Sequence, residues 1–98
     1  MRSLTTDFQK AHLRPYFLWD EDVSIDEFRE RLKNGAPDDR TRLLAKLLRE
    51  ARDTDVWLFV SPREVADSLP SVRARLGRRR RFWEFLIDGW RQDALLPR

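Results

Sequence analysis

The sequence predicts an all-α fold: one compact domain of five to six short helices. Three observations predict it. Apolar residues recur at helical spacing along most of the chain, Ser24-Ile-Asp-Glu27 and Ser61-Pro-Arg-Glu64 have the form of helix starts, and 98 residues give room for a single core. An apolar share of 41% against a charged share of 38% describes a lean core under a heavily charged surface. Stability is therefore expected to rest on a few large side chains, among them four Trp and six Phe.

Residues 1–14 are mixed and polar and read as an N-terminal arm or a short helix. His12, the only histidine, has no neighbouring acids or Cys and is given no role. The single helical domain is placed at residues 15–92 and a C-terminal tail at 93–98. Pro15 disfavours helix in the residue before it, so Tyr16-Phe-Leu-Trp19 starts a new element, a buried plug or a short strand. Asp20, Glu21 and Asp22 follow as the chain leaves the core. They add negative charge near a helix N-terminus or serve as an acidic patch for a basic partner or for the chain's own arginines.

Ser24 is the expected N-cap of the next helix, with Glu27 reaching back to its amide, and Ile25, Phe28 and Leu32 share one face. Asn34-Gly35 ends it, with Gly35 expected in the left-handed conformation. Pro37-Asp-Asp39 opens the clearest amphipathic helix. Its stripe is Leu43, Leu44, Leu47, Leu48 and Ala51, and Arg42, Lys46, Arg49 and Glu50 are placed on the outer side. Val56-Trp-Leu-Phe-Val60 reads as a short, fully buried helix capped by Asp53 or Thr54, with a strand paired to Tyr16–Trp19 as the alternative. Ser61 caps a further helix with Pro62 at its first position and Val65, Ala66 and Leu69 inside; Pro70 is expected to stop it. Val72 and Leu76 anchor a short turn that Gly77 breaks. The last helix is expected from about Arg79 to Arg91, with Phe82, Trp83, Leu86, Ile87 and Trp90 in an arc of about 140° and Phe85 outside it.

The charge is uneven. Net charge is +3, yet residues 1–60 hold 11 Lys or Arg against 12 acids, while residues 61–98 hold nine Arg against five. Arg73, Arg75, Arg78, Arg79, Arg80 and Arg81 form a basic cluster directly before the most hydrophobic helix. With Phe85 and Trp90 they are the candidate binding surface. Trp, Tyr and Arg are enriched at interface hot spots, and Trp19, Trp57, Trp83, Trp90 and Phe85 are more than one small core readily holds.

No catalytic constellation is readable. The absence of Cys excludes disulfides and thiolate metal sites, one His and scattered acids give no ligand set, and three glycines form no phosphate loop. The chain is expected to be non-enzymatic and to need no cofactor. No apolar run approaches the about 20 residues that span a bilayer, and no signal-peptide pattern opens the chain, so the expected location is cytoplasmic.

Tyr16-Phe-Leu-Trp-Asp20, Leu43–Arg52 with Asp55-Val-Trp57, Arg63-Glu-Val65 and Phe82-Trp83 follow one another in an order that resembles a family of small helical proteins. These are encoded beside nucleotidyltransferase-type abortive-infection toxins. The similarity spans roughly residues 16–90. Where that family more often has a Leu-Ser-Pro-type turn, this chain has Leu76-Gly-Arg-Arg-Arg-Arg81. The resemblance implies an antitoxin-like protein whose partner is a cognate toxin. The alternative is a DNA-binding regulator, an autorepressor, using Arg73–Arg81 on phosphates in a helix–turn–helix-like C-terminal half, although the spacer from Leu69 to Gly77 is longer than the usual turn. A homo-oligomer whose aromatic stripe pairs with itself is a third reading.

Overall fold

The structure, a computed structural model, describes residues 1–96. An N-terminal arm carries the two-residue strand β1 (Leu4–Thr5), which pairs in parallel with β2 (Arg14–Pro15). A 3-10 turn at Tyr16–Leu18 leads into five helices: α1 (Ile25–Asn34), α2 (Pro37–Glu50), α3 (Asp53–Val56), α4 (Pro62–Val72) and α5 (Arg80–Gln92). Two further 3-10 turns, Arg73–Arg75 and Gly77–Arg79, join α4 to α5. The fold is all-α, with α1 packed on α2, α2 on α4 and α4 on α5.

Residues 1–14 form no helix. Their backbone completes the start of α1 instead. The first three amides of a helix lack intrahelical acceptors. Here Ile25 N–H donates to Leu13 O (2.9 Å), Asp26 N–H to Ala11 O (3.1 Å) and Glu27 N–H to Ser24 Oγ (3.1 Å). Ser24 is thus the N-cap, but the Glu27 side chain turns away to Arg2 Nη1 (2.9 Å) rather than back to the cap amide. Gly35 ends α1 in an extended conformation (φ −70°), not a left-handed one. Glycine is still required, because a Cβ there would lie 2.5 Å from Arg31 O.

Helix α2 is the central element: every residue from Leu43 to Leu48 is buried. This includes Lys46, whose side chain is only 7% exposed, contrary to its expected place on the outer side. Its ammonium pairs with Asp20, lies 3.8 Å from Glu21 Oε2 and sits 5.3 Å from the Trp19 ring centroid. A long aliphatic stem lets lysine bury its carbons and still reach two carboxylates at the surface. The acidic run is answered by the chain's own bases, since Glu21 also accepts from Arg42 (2.8 Å) and Asp22 from Arg2 (3.1 Å). Hydrogen bonds from Lys46 hold Asp20 below the usual carboxylate range. Arg2 does the same to Asp22 and Glu27, and Arg31 to Asp39.

Two aromatic clusters flank α2. Phe8, Tyr16, Phe17, Phe28 and Phe59 form one, with ring centroids 5.2–6.2 Å apart. Trp57, Trp83, Trp90 and Phe82 form the other. The stretch Val56–Val60 joins them. It is a helical end and turn, neither a strand nor a fully buried helix: α3 covers Asp53–Val56, its N-cap is Arg52 without a side-chain bond, and Leu58 is 59% exposed. Phe59 faces the first cluster and Trp57 the second, so successive side chains leave in different directions. Tyr16 fastens the same region, donating its hydroxyl to Asp55 Oδ2 (2.6 Å) and accepting from Arg52 N–H (2.8 Å).

Ser61 caps α4 through its Oγ, which accepts from Glu64 N–H (3.1 Å), and Pro62 sits in the first turn. Pro70 does not stop this helix, which continues to Val72. Proline at position 70 has no N–H for the Ala66 carbonyl, and that carbonyl accepts instead from Arg91 Nη2 of α5 at 3.3 Å. A side chain from the neighbouring helix thus stands where the backbone donor is missing.

Candidate interaction surface

The basic cluster occupies the connection between α4 and α5. Seven residues, Arg73–Arg79, make that connection as two 3-10 turns joined at Leu76, and Gly77 opens the second at φ +56°, in the left-handed region. Val72 and Leu76 are fully buried and pin the turns to the core, leaving the polar positions outside. This spacing is longer than the three or four residues of a helix–turn–helix.

The six arginines separate into two kinds. Arg79 is built into the fold. It donates to Ala51 O at 3.3 Å, at the C-terminal end of α2, where a cation meets the negative end of the helix dipole. Its guanidinium also lies 5.0 Å from the Phe82 ring centroid and 5.7 Å from that of Trp83. Arg80 is paired with Glu84 at 2.7 Å, an i, i+4 contact along α5. Arg73, Arg75, Arg78 and Arg81 are exposed, and among the described residues their side chains make no ion pair and no hydrogen bond. Arg75 contributes only its carbonyl, which accepts from Arg49 Nη1 (3.2 Å). The bias towards arginine thus has two physical origins that the sequence run does not distinguish.

The aromatic residues divide in the same way. Trp83 is fully buried, its indole N–H donating to Leu48 O at 2.8 Å, and Ile87 is buried beside it. Trp90 is half-buried against Trp57, with centroids 5.6 Å apart, and belongs to the edge of the core rather than to the free surface. Phe82, expected in the buried arc, is 37% exposed beneath Arg79. Phe85 is 79% exposed and contacts no other aromatic ring among the described residues. Sequence reasoning missed Leu58 and placed Trp19 in a buried plug or short strand; Phe17 and Leu18 are buried there, but Trp19 is 57% exposed beside Lys46. Two signals pointed to its exposure: Trp19 directly precedes three consecutive acids, and the aromatic residues outnumber what one small core holds.

Among the described residues no group of three His, Asp or Glu side chains is placed to hold a metal ion, and no helix is long and apolar enough to cross a membrane. A groove between α4 and α5 is lined by Leu69, Arg73, Arg80, Glu84, Asp88 and Arg91, so both signs of charge face it. What the surface offers chemically is cationic, planar hydrogen-bond donors on the α4–α5 connection and, further along α5, the exposed ring of Phe85. The chain matches no protein-family model, no curated protein and no solved structure.

Proposed function

We propose that this chain is a non-catalytic interaction protein, an antitoxin-like partner that binds and neutralises a nucleotidyltransferase-type toxin. One observation carries the reading: among the described residues Arg73, Arg75, Arg78 and Arg81 have no carboxylate partner, and Arg81 stands one helical turn before the exposed Phe85 on α5. Unpaired arginine together with an exposed aromatic ring is the composition of a protein hot spot. Nucleotidyl transfer uses metal-binding carboxylates, so the partner's active site is acidic and draws arginines towards it. The sequence order from Tyr16-Phe-Leu-Trp-Asp20 to Phe82-Trp83 supports the same assignment by resemblance.

The test is co-expression with the product of the neighbouring gene, which this reading expects to be a nucleotidyltransferase-like protein. Wild type rescues growth and co-purifies with that protein. A variant with Glu at positions 73, 75, 78 and 81 keeps its helical circular dichroism and loses both properties. Rescue by that variant, or a neighbouring gene without any toxic product, rejects the proposal. A regulator that binds DNA would use the same four arginines on phosphates. It predicts duplex affinity that falls with salt at a log–log slope of about −0.9 per phosphate neutralised. Against base readout, Phe82, Phe85 and Gly89 take up most of the outer face of α5 and leave only Gln92 at its end and Arg81 and Asp88 at its flank to meet base edges.

A further inference from the structure

The outer face of α5 has a pattern that interaction with an unrelated partner does not require. At 100° per residue, Phe82, Phe85, Gly89 and Gln92 lie within an arc of about 80°, opposite the buried Trp83 and Ile87. Arg81 and Asp88, seven residues apart, flank this arc on one side. Both are exposed, and neither has an ion pair within the protein among the described residues. Gly89, a poor helix former in the middle of a helix, sits on this face, and a Cβ added there meets nothing within 4 Å.

We infer that the outer face of α5 pairs with the same face of a second copy of this chain, antiparallel, about a two-fold axis at Phe85. A two-fold interface must be self-complementary, each residue i meeting j where j also meets i. With a rise of about 1.5 Å per residue, Arg81 lies about 6 Å before Phe85 and Asp88 about 4.5 Å after it. In the antiparallel arrangement they come level on the same flank, giving two symmetric Arg81–Asp88 pairs. The Phe82 ring of one copy falls opposite Gly89 of the other, where the absence of a side chain leaves room for it. The two Phe85 rings meet at the axis and leave water. A parallel two-fold would instead carry the Arg81 and Asp88 flank of one copy to the opposite side of the seam from that of the other, and the two pairs could not form. One helix face is smaller than the roughly 800 Å² per partner of a standard interface, so the pairing is weak and reversible. The inference does not rest on the antitoxin reading. Because both use Phe85, self-pairing and toxin binding exclude each other.

Sedimentation equilibrium of the full chain, from low micromolar to near-millimolar concentration, tests this. Wild type shows a reversible monomer–dimer equilibrium. Arg81→Asp alone and Asp88→Arg alone abolish it, each by placing like charges together, and the double swap restores it. Gly89→Gln fills the space opposite Phe82 and weakens association by about tenfold or more. Far-UV circular dichroism and the melting temperature show that each variant is folded, and Gly89→Gln melts no lower than wild type because its side chain enters open space. A chain that is monomeric throughout overturns the inference. So does an assembly untouched by the single swaps, or a double swap that fails to restore pairing. None of these outcomes bears on growth rescue, so failure here leaves the toxin reading standing.

Discussion

Replacing Arg91 with Met, once in the wild-type chain and once in a Pro70→Ala chain, tests how α4 survives its internal proline. Arg91 Nη2 reaches the Ala66 carbonyl at 3.3 Å, and Ala66 is buried. Stranding a buried carbonyl costs about 1–3 kcal/mol. The contact is at the long end of hydrogen-bond distances, and Arg91 Nε is itself buried without a partner, so removing the guanidinium also relieves one unsatisfied donor. The lower limit, about 1 kcal/mol, is therefore expected for Arg91→Met in the wild-type chain. In the Pro70→Ala chain the amide at position 70 takes the Ala66 carbonyl as an ordinary i→i−4 bond, and the same replacement should cost close to nothing. The coupling is about 1 kcal/mol, above the roughly 0.3–0.5 kcal/mol within which independent sites add. Urea unfolding followed by tryptophan fluorescence reads it as a midpoint shift of about 0.5–1 M that is present in one background and absent in the other. Equal midpoint shifts in the two backgrounds would refute the argument and return Pro70 to the status of an uncompensated helix defect.

The division of the arginine cluster gives a second test: Arg79→Ala should lower stability by about 1–2 kcal/mol, through the lost bond to Ala51 O and the lost ring contacts, while Arg78→Ala stays within about 0.5 kcal/mol of wild type. Thermal melts compare the two directly. Trp83→Phe, which keeps a ring but removes the indole bond to Leu48 O, should cost about 2–3 kcal/mol, measured by chemical denaturation. The pH dependence follows from Asp20, Asp22, Glu27 and Asp39, whose folded pKa values are lowered by Lys46, Arg2 and Arg31. Such groups bind fewer protons folded than unfolded, so their stabilisation is full above about pH 4–5 and is lost as pH falls through the lowered values. Asp39→Asn should therefore reduce stability at pH 7 and flatten the acid limb of a melting-temperature profile.

Local signals carried the fold. Ser24 and Ser61 cap the helices that their spacing predicts, and the Leu43–Ala51 stripe is the buried face of α2, because these features depend on residues within one or two turns of each other. The departures came where the partner is distant in sequence. Pro70 reads as a stop until Arg91, 21 residues later, is seen on the Ala66 carbonyl. Lys46 reads as surface until Asp20 and Trp19 are seen around its ammonium. Within the candidate surface the six arginines look alike in one dimension. Only the position of the α2 C-terminus separates Arg79 from Arg78, and only the orientation of α5 leaves Phe85 outside while Trp83 goes in.

Arg14 shapes the N-terminal arm in a way that outlasts its ion pairs. Its guanidinium donates to four carbonyls, those of Arg2, Leu18, Trp19 and Glu21, and its own amide donates to Ser3 O at 3.0 Å. A cation surrounded by backbone oxygens takes the place a bound metal ion has in other small proteins, and none of those acceptors titrates. Arg2, by contrast, holds on through Asp22 and Glu27. Acid strips the second fastening of its carboxylates, leaving Arg2 a single bond to the Asp22 carbonyl (3.0 Å), and leaves the first closed. The carbonyls of Ala11 and Leu13 then stay seated on the start of α1, and the Ile25 and Asp26 amides beneath them remain slow to exchange with solvent deuterium after the surface carboxylates have let go.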